Sequence, residues 1–167
     1  MIQKHTHNKN DTPACINAIA FFSGVGRGFI YCYEEELTSK VLIKILKEHF
    51  FPAANKLYPH HEDYKILWDN DSTHTSGEME KWLNDRLLFQ KIIRIPSRSP
   101  ELNITENLWS LLAPKVEKHN ATTVEELKEA IEKEWDKIDV SMLKKMSDSM
   151  VSRCNEIIAS HGHKIDH

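Results

Sequence analysis

K-I-L-W-D-N-D-S-T-H-T-S, Lys65 to Ser76, sets a compact apolar run directly ahead of the acidic cluster Asp69, Asn70 and Asp71. So short a run, bounded by turn formers, predicts a buried strand over Lys65–Trp68 with Asp69 at its C-terminal end. An amphipathic helix is expected over about Ser76 to Leu88, and K-I-I-R-I, Lys91 to Ile95, reads as a further strand. Upstream, C-I-N-A-I-A-F-F (Cys15–Phe22) and F-I-Y-C-Y (Phe29–Tyr33) flank S-G-V-G-R-G, which reads as a hairpin closed by a glycine-rich turn. Those glycines also suggest a nucleotide loop, but such a loop leads from a strand into a helix, and here a second strand follows.

A helix capped by Thr38 or Ser39 comes next, with Val41, Leu42, Ile45, Leu46 and His49 at helical spacing, ending near Pro52 or Pro59. P-S-R-S-P-E-L-N, Pro96–Asn103, is a loop, and Asn103 can cap a helix that carries Glu106, Asn107, Leu108 and Trp109, with Pro114 able to bend it. Thr123 and Glu126 form a capping box ahead of Leu127, Ile131 and Trp135, and a last helix is expected over about Ser141 to Ser160. Strands first, then alternation, then a helical tail indicate one mixed α/β domain. The expected organisation is a flexible lead-in over 1–14, a catalytic-type domain over 15–120, and a helical extension of it over 121–167.

The chain has 167 residues, 40% apolar and 28% charged, which suits one globular domain and excludes a disordered tail or fibrous repeat. Its apolar runs are too short for a membrane span, and no membrane partner is expected. Cys15, Cys32 and Cys154 are odd in number and far apart, which argues against a disulfide framework. A net charge of −3, from 22 basic and 25 acidic residues, argues against a self-sufficient nucleic-acid binder. It leaves room for a nucleic-acid enzyme whose site is rich in carboxylates.

Two places join carboxylates to strong structural punctuation: Asp69 at a strand end, and Glu106 about one turn into a helix. Such groups can converge across a crevice of an α/β sheet, and paired hard-oxygen ligands suit magnesium and phosphodiester displacement. On spacing alone the plainer alternative stands beside this one: Asp69 and Asp71 as turn formers, Glu106 favoured by the helix dipole.

The complete motifs narrow the choice. D-N-D-S-T-H-T-S (Asp69–Ser76) and I-P-S-R-S-P-E-L-N-I-T-E-N-L-W (Ile95–Trp109), with Lys81-Trp82-Leu83 between them, resemble the catalytic domain of Tc1/mariner transposases of the DDE superfamily. The hairpin, glycine turn and following helix match as well, so the resemblance covers about residues 15–120. It implies a ribonuclease-H-like mixed sheet with flanking helices. It also implies Mg²⁺- or Mn²⁺-dependent DNA strand cleavage and strand transfer, with double-stranded DNA (transposon ends and target) as partner, a homo-oligomer, and the nucleus as location. Carried over residue by residue, Asp69 is the second catalytic, metal-binding carboxylate and Glu106 the third, with Asn70, Asp71, His74 and Asn107 as supporting candidates. For His74 a structural hydrogen bond fixing the turn is an equal alternative to DNA contact.

Thirty-six residues lie between Asp69 and Glu106, slightly more than the family's usual spacing, so a small insertion is expected around Asn84–Gln90. Ser72 replaces a customary proline, and Asn103-Ile104-Thr105-Glu106 lacks another, changes expected to loosen the loops beside the site. The family's first aspartate belongs to a central strand about ninety residues before the second, whereas 68 residues precede Asp69 and the hairpin already begins near Cys15. The first central strand and its aspartate, and the family's helix-turn-helix domains, are therefore expected to be missing, and the chain as it stands to be inactive or very weak. The alternative is a non-catalytic transposon relic or an interaction module. A histidine metal site built on His5, His7, His60, His61, His161, His163 and His167 is disfavoured, because they lack zinc-type spacing.

Overall fold

The computed structural model describes residues 14–60, 64–86 and 88–161. The lead-in over 1–14 therefore lies almost wholly outside the described residues, as do His5, His7, His61, His163 and His167. The described residues form two compact units: one of the hairpin and residues 104–149, the other of residues 36–103 and 150–161.

In the hairpin unit, β1 (Asn17–Ser23) pairs antiparallel with β2 (Gly26–Tyr33) around the two-residue turn Gly24–Val25. The register runs from Asn17 opposite Tyr33 to Phe21 opposite Phe29, then slips, so that Phe22 faces Arg27 and Gly28 is the extra residue of a bulge. Only glycine fits there: a Cβ on Gly28 would fall on the Phe21 ring and 2.5 Å from the Phe21 carbonyl oxygen. Three helices complete the unit: α4 (Ile104–Glu117), α5 (Val124–Asp136) and the first half of α6 (Val140–Ala159). Ile16, Ala18 and Cys32 of the hairpin pack with Leu108, Leu112 and Val116 of α4, Leu127, Ile131 and Trp135 of α5, and Leu143 of α6. Burial pushes the Cys32 thiol up to about 11, so it is a small core residue rather than a nucleophile. The three cysteines are free thiols.

Polar groups finish the helix ends. Thr123 and Glu126 form the expected capping box, which fixes where α5 starts. Arg27 of β2 donates to the carbonyl of Ile138 at 2.7 Å and to that of Asp136, satisfying acceptors at the C-terminal end of α5. Buried Glu134 accepts from Lys137 at 2.6 Å and from His119 at 2.7 Å, and these partners, Lys137 first, push its carboxyl down to about 2. Pro114 lies inside α4 without ending it.

In the second unit, β3 (Ile66–Trp68) and β4 (Ile92–Arg94) form a parallel pair, with Ile66 opposite Ile92 and Trp68 opposite Arg94. α3 (Gly77–Asn84), capped by Ser76, makes the crossover that a parallel pair requires. It ends before the expected Leu88; a turn and a 3₁₀ segment, Phe89–Lys91, follow where the extra residues were expected. Ahead of β3, α1 (Ser39–Ile45), capped by Thr38, runs through a π-helical turn (Leu46–Phe50) into α2 (Phe51–Leu57). Helix thus passes Pro52 and stops before Pro59. The wide turn is the reason: the Phe51 N–H reaches back five residues to the Leu46 carbonyl, which makes room for a proline ring that would crowd a regular α-turn. Leu42, Phe50, Met79, Trp82 and Leu83 are buried in this unit.

The two sheets are two-stranded among the described residues. No helix among them is long and apolar enough to cross a membrane.

Candidate nuclease carboxylates

Asp69 follows β3 directly, in a loop that its own short side chains hold in shape. One carboxylate oxygen, Oδ1, accepts the Asp71 backbone N–H at 3.2 Å and is bonded to His74 Nδ1. Among the described residues nothing bonds Oδ2, and the side chain is 46% exposed, so one oxygen remains presentable to a ligand. The His74 hydrogen bond holds the carboxyl below its usual range, against the opposing effect of burial. His74 itself is well covered, its ring 4.8 Å from that of buried Trp68.

The neighbouring candidates are placed differently. Asn70 donates through Nδ2 to the Ile95 carbonyl, tying the end of β3 to the residue after β4. Asp71 accepts the Thr73 N–H at 2.8 Å through Oδ1, and its carbonyl accepts the N–H groups of His74 and Thr75. Where a proline would have stiffened this turn, side-chain bonds around Ser72 hold it instead.

Two residues whose anchoring role sequence reasoning passed over, Thr73 and Ser76, secure the loop to the start of α1. Thr73 Oγ1 donates to the Leu37 carbonyl at 3.1 Å, and Ser76 Oγ lies 2.6 Å from Ser39 Oγ while also capping Met79 N–H of α3. The density of Ser and Thr in S-T-H-T-S was the available signal.

Glu106 stands in the first turn of α4, exposed, with Asn107 half-buried beside it. Ser110 Oγ donates back to the Glu106 carbonyl at 2.9 Å, an intrahelical bond at i−4. Asp69 and Glu106 belong to different units. In the loop between β4 and α4, Arg98 adopts a left-handed backbone with φ 62°, a conformation that non-glycine residues rarely hold. Among the described residues no group of three His, Cys, Asp or Glu side chains converges as a metal site.

A family model described as "DDE superfamily endonuclease" matches residues 3–128, well over half of the chain. The chain belongs to the DDE endonucleases, in their Tc1/mariner branch. Among its DDE relatives, the Tc1 transposase of Caenorhabditis elegans is 33% identical over 95 residues, covering 57% of this chain and 34% of that protein. The Tc3 transposase of the same organism is 33% identical over 108 residues, 64% of this chain and 32% of the relative. The Tcb1 transposase of Caenorhabditis briggsae is 30% identical over 95 residues, with the same 57% and 34% coverage as Tc1. The aligned stretch thus spans about a third of these relatives' length. A solved structure, the Mos1 transposase catalytic domain with raltegravir and Mg, superposes with a TM-score of 0.76 at 15% identity, over 91% of this chain and 76% of that one. That likeness establishes the DDE fold here as ribonuclease-H-like.

Proposed function

We propose that this chain supplies part of a metal-dependent DNA transposase site, with Asp69 and Glu106 as metal-binding carboxylates. The observation that carries the reading is the Asp69 carboxylate: its Oδ1 is fixed by His74 and the Asp71 N–H, its Oδ2 is left to a ligand, and it closes a strand of a ribonuclease-H-like fold. The donor set fits a hard cation, since carboxylate oxygens are what Mg²⁺ and Mn²⁺ take. When bound, such a cation would supply Lewis acidity to an attacking hydroxyl and a leaving oxygen in phosphodiester displacement. Asp69 is kept ionised and oriented by His74, and Asn70 holds the strand end from which it projects. Glu106 brings a second carboxylate from the first turn of α4.

In this reading double-stranded DNA is the substrate, the nucleus is the site of action, and a homo-oligomer is the working form. None of the four strands described carries an aspartate that could serve as the family's first catalytic carboxylate. We infer that this chain alone cleaves DNA very weakly or not at all. A transposon relic retained as an interaction module is the competing reading.

Two measurements separate these. Mn²⁺ titrated by calorimetry should bind weakly to the chain and not to Asp69→Ala or Glu106→Ala; undiminished binding in both variants would sink the metal assignment. In a plasmid-nicking assay with Mn²⁺, no turnover above the Asp69→Ala background is expected. Clear turnover that disappears in Asp69→Ala would overturn the inactivity.

A further inference from the structure

The helix that begins beside the Asp69 loop carries a basic face that this site does not use. Over residues 39–57 there are four lysines, Lys40, Lys44, Lys47 and Lys56, against one acidic residue, Glu48. Lys40, Lys44 and Lys47 are all exposed. Spaced at i, i+4 and i+7, they form one ridge. The run Glu34–Glu36 ends before the Thr38 cap, so the charges are segregated along the chain.

An open groove of about 410 Å³ runs beside the ridge, between α1 and α3. Lys40 and Lys47 line one wall and Lys81 the other, with Ile43 and Trp82 also lining it. Glu78 and Asp85 are its acidic members, and among the described residues neither forms an ion pair with these lysines. Beyond them Arg86 stacks 4.7 Å over the Trp82 ring, and Trp82 Nε1 is a buried donor without an acceptor. Like charges along one helix face repel one another, a cost that an anionic ligand removes.

We propose that the Lys40–Lys44–Lys47 ridge, with Lys81 and Arg86 beyond it, tracks the phosphate backbone of duplex DNA leading to the Asp69 loop. The proposal rests on the transposase reading and adds to it the surface that holds the substrate. Two observations favour DNA as the occupant. Seven residues of helix rise about 10 Å, the axial rise of about three nucleotides of one strand, so each lysine can meet one phosphate. The ridge is also continuous with the site: Ser39, next to Lys40, touches Ser76 of the Asp69 loop, and Leu37 accepts from Thr73. An overall charge of −3 makes this a local exception in an otherwise acidic chain.

Fluorescence anisotropy with a 30-base-pair duplex of mixed sequence, in EDTA and at 50 to 200 mM KCl, tests it on the full chain. Three lost phosphate contacts predict that wild-type affinity falls about 40-fold more over that salt range than the affinity of Lys40→Gln/Lys44→Gln/Lys47→Gln. The corresponding triple arginine variant should keep the wild-type salt slope, which a merely structural role for the lysines would not predict. Lys118→Gln/Lys133→Gln, in the other unit, should bind as wild type, and circular dichroism melting checks that every variant folds. A triple glutamine variant with the wild-type slope, an arginine variant as weak as the glutamine one, or no DNA binding by the wild type would each overturn the ridge. Because the assay contains no metal, Mn²⁺ calorimetry on the same triple glutamine variant reports separately on the carboxylate site: retained Mn²⁺ binding leaves that reading standing when the ridge fails.

Discussion

The hairpin unit and the Asp69 unit are held by different forces. In the first, β1, β2, α4, α5 and α6 share one apolar cluster in which Leu108, Leu127, Ile131 and Leu143 are fully buried. In the second, β3 and β4 are three residues each, and the loop between β3 and α3 is fixed by Asn70, Asp71, Thr73, His74 and Ser76 bonding to backbone and to one another. Apolar burial is strong and undirected, while hydrogen bonds contribute little net stability and fix geometry. Each unit also has a histidine–carboxylate pair. Glu134 is 9% exposed and accepts at its Oε1 from both Lys137 and His119, whereas Asp69 is 46% exposed and keeps an oxygen in reserve. One pair locks helices together; the other orients a group for use.

The contrast breaks most readily at Leu112, which is 1% exposed in the hairpin unit. Leu112→Ala should lower unfolding free energy by about 2–5 kcal/mol in urea titrations. A loss under about 1 kcal/mol would show that the apolar cluster is not what holds this unit.

Glu134 comes next. Its carboxyl is lowered from 4.5 to about 2, so the stability it lends is present above about pH 4.5 and fades as pH falls towards 2. Glu134→Gln should lower the melting temperature at pH 7 and flatten the acid limb in that window. An unchanged acid limb would mean the His119–Glu134–Lys137 cluster is not coupled to folding.

Asn70→Ala should cost only about 1 kcal/mol while speeding amide exchange around Ile95 and Asp71, because what is lost is mainly position. A penalty matching that of Leu112→Ala would erase the distinction between the units. The smallest effect belongs to Asp69→Asn, about 0.2–1 kcal/mol at neutral pH, since the Asp69 side chain is half open to solvent. Asp69 is held below its usual range by His74, so its contribution is lost only as pH falls through and below the ordinary carboxylate range. Asp69→Asn should therefore narrow its stability gap from wild type on acidification, and a gap that widens would refute the pairing.

Much of this was legible in the chain. Two strand-like runs flanking a glycine-rich turn gave the hairpin, Thr123 and Glu126 gave the start of α5, and the short apolar run gave β3 within a residue. Asp69 at a strand end and Glu106 in a first helical turn were readable from the same punctuation. Three things were not. The slip at Phe21–Phe22 depends on packing across strands, which no local pattern encodes. The end of α3 at Asn84 came earlier than periodicity indicated, because Leu88 joins a turn whose N–H bonds back to the Leu83 carbonyl. Thr73 and Ser76 as anchors to α1 required knowing which residues lie close in space.

The π-helical turn at Leu46–Phe50 has a consequence for how this chain can change over evolutionary time. It holds one residue more than a regular α-turn would use, a phase slip between α1, with Lys40 and Lys44, and the part containing Ala54. A one-residue deletion inside Leu46–Phe50 could be absorbed by restoring the ordinary ladder, but only if Pro52 were exchanged at the same time, since its ring needs the wide turn. The two changes are thus epistatic: the deletion should damage the helix while Pro52 is present and be tolerated once Pro52 has been exchanged.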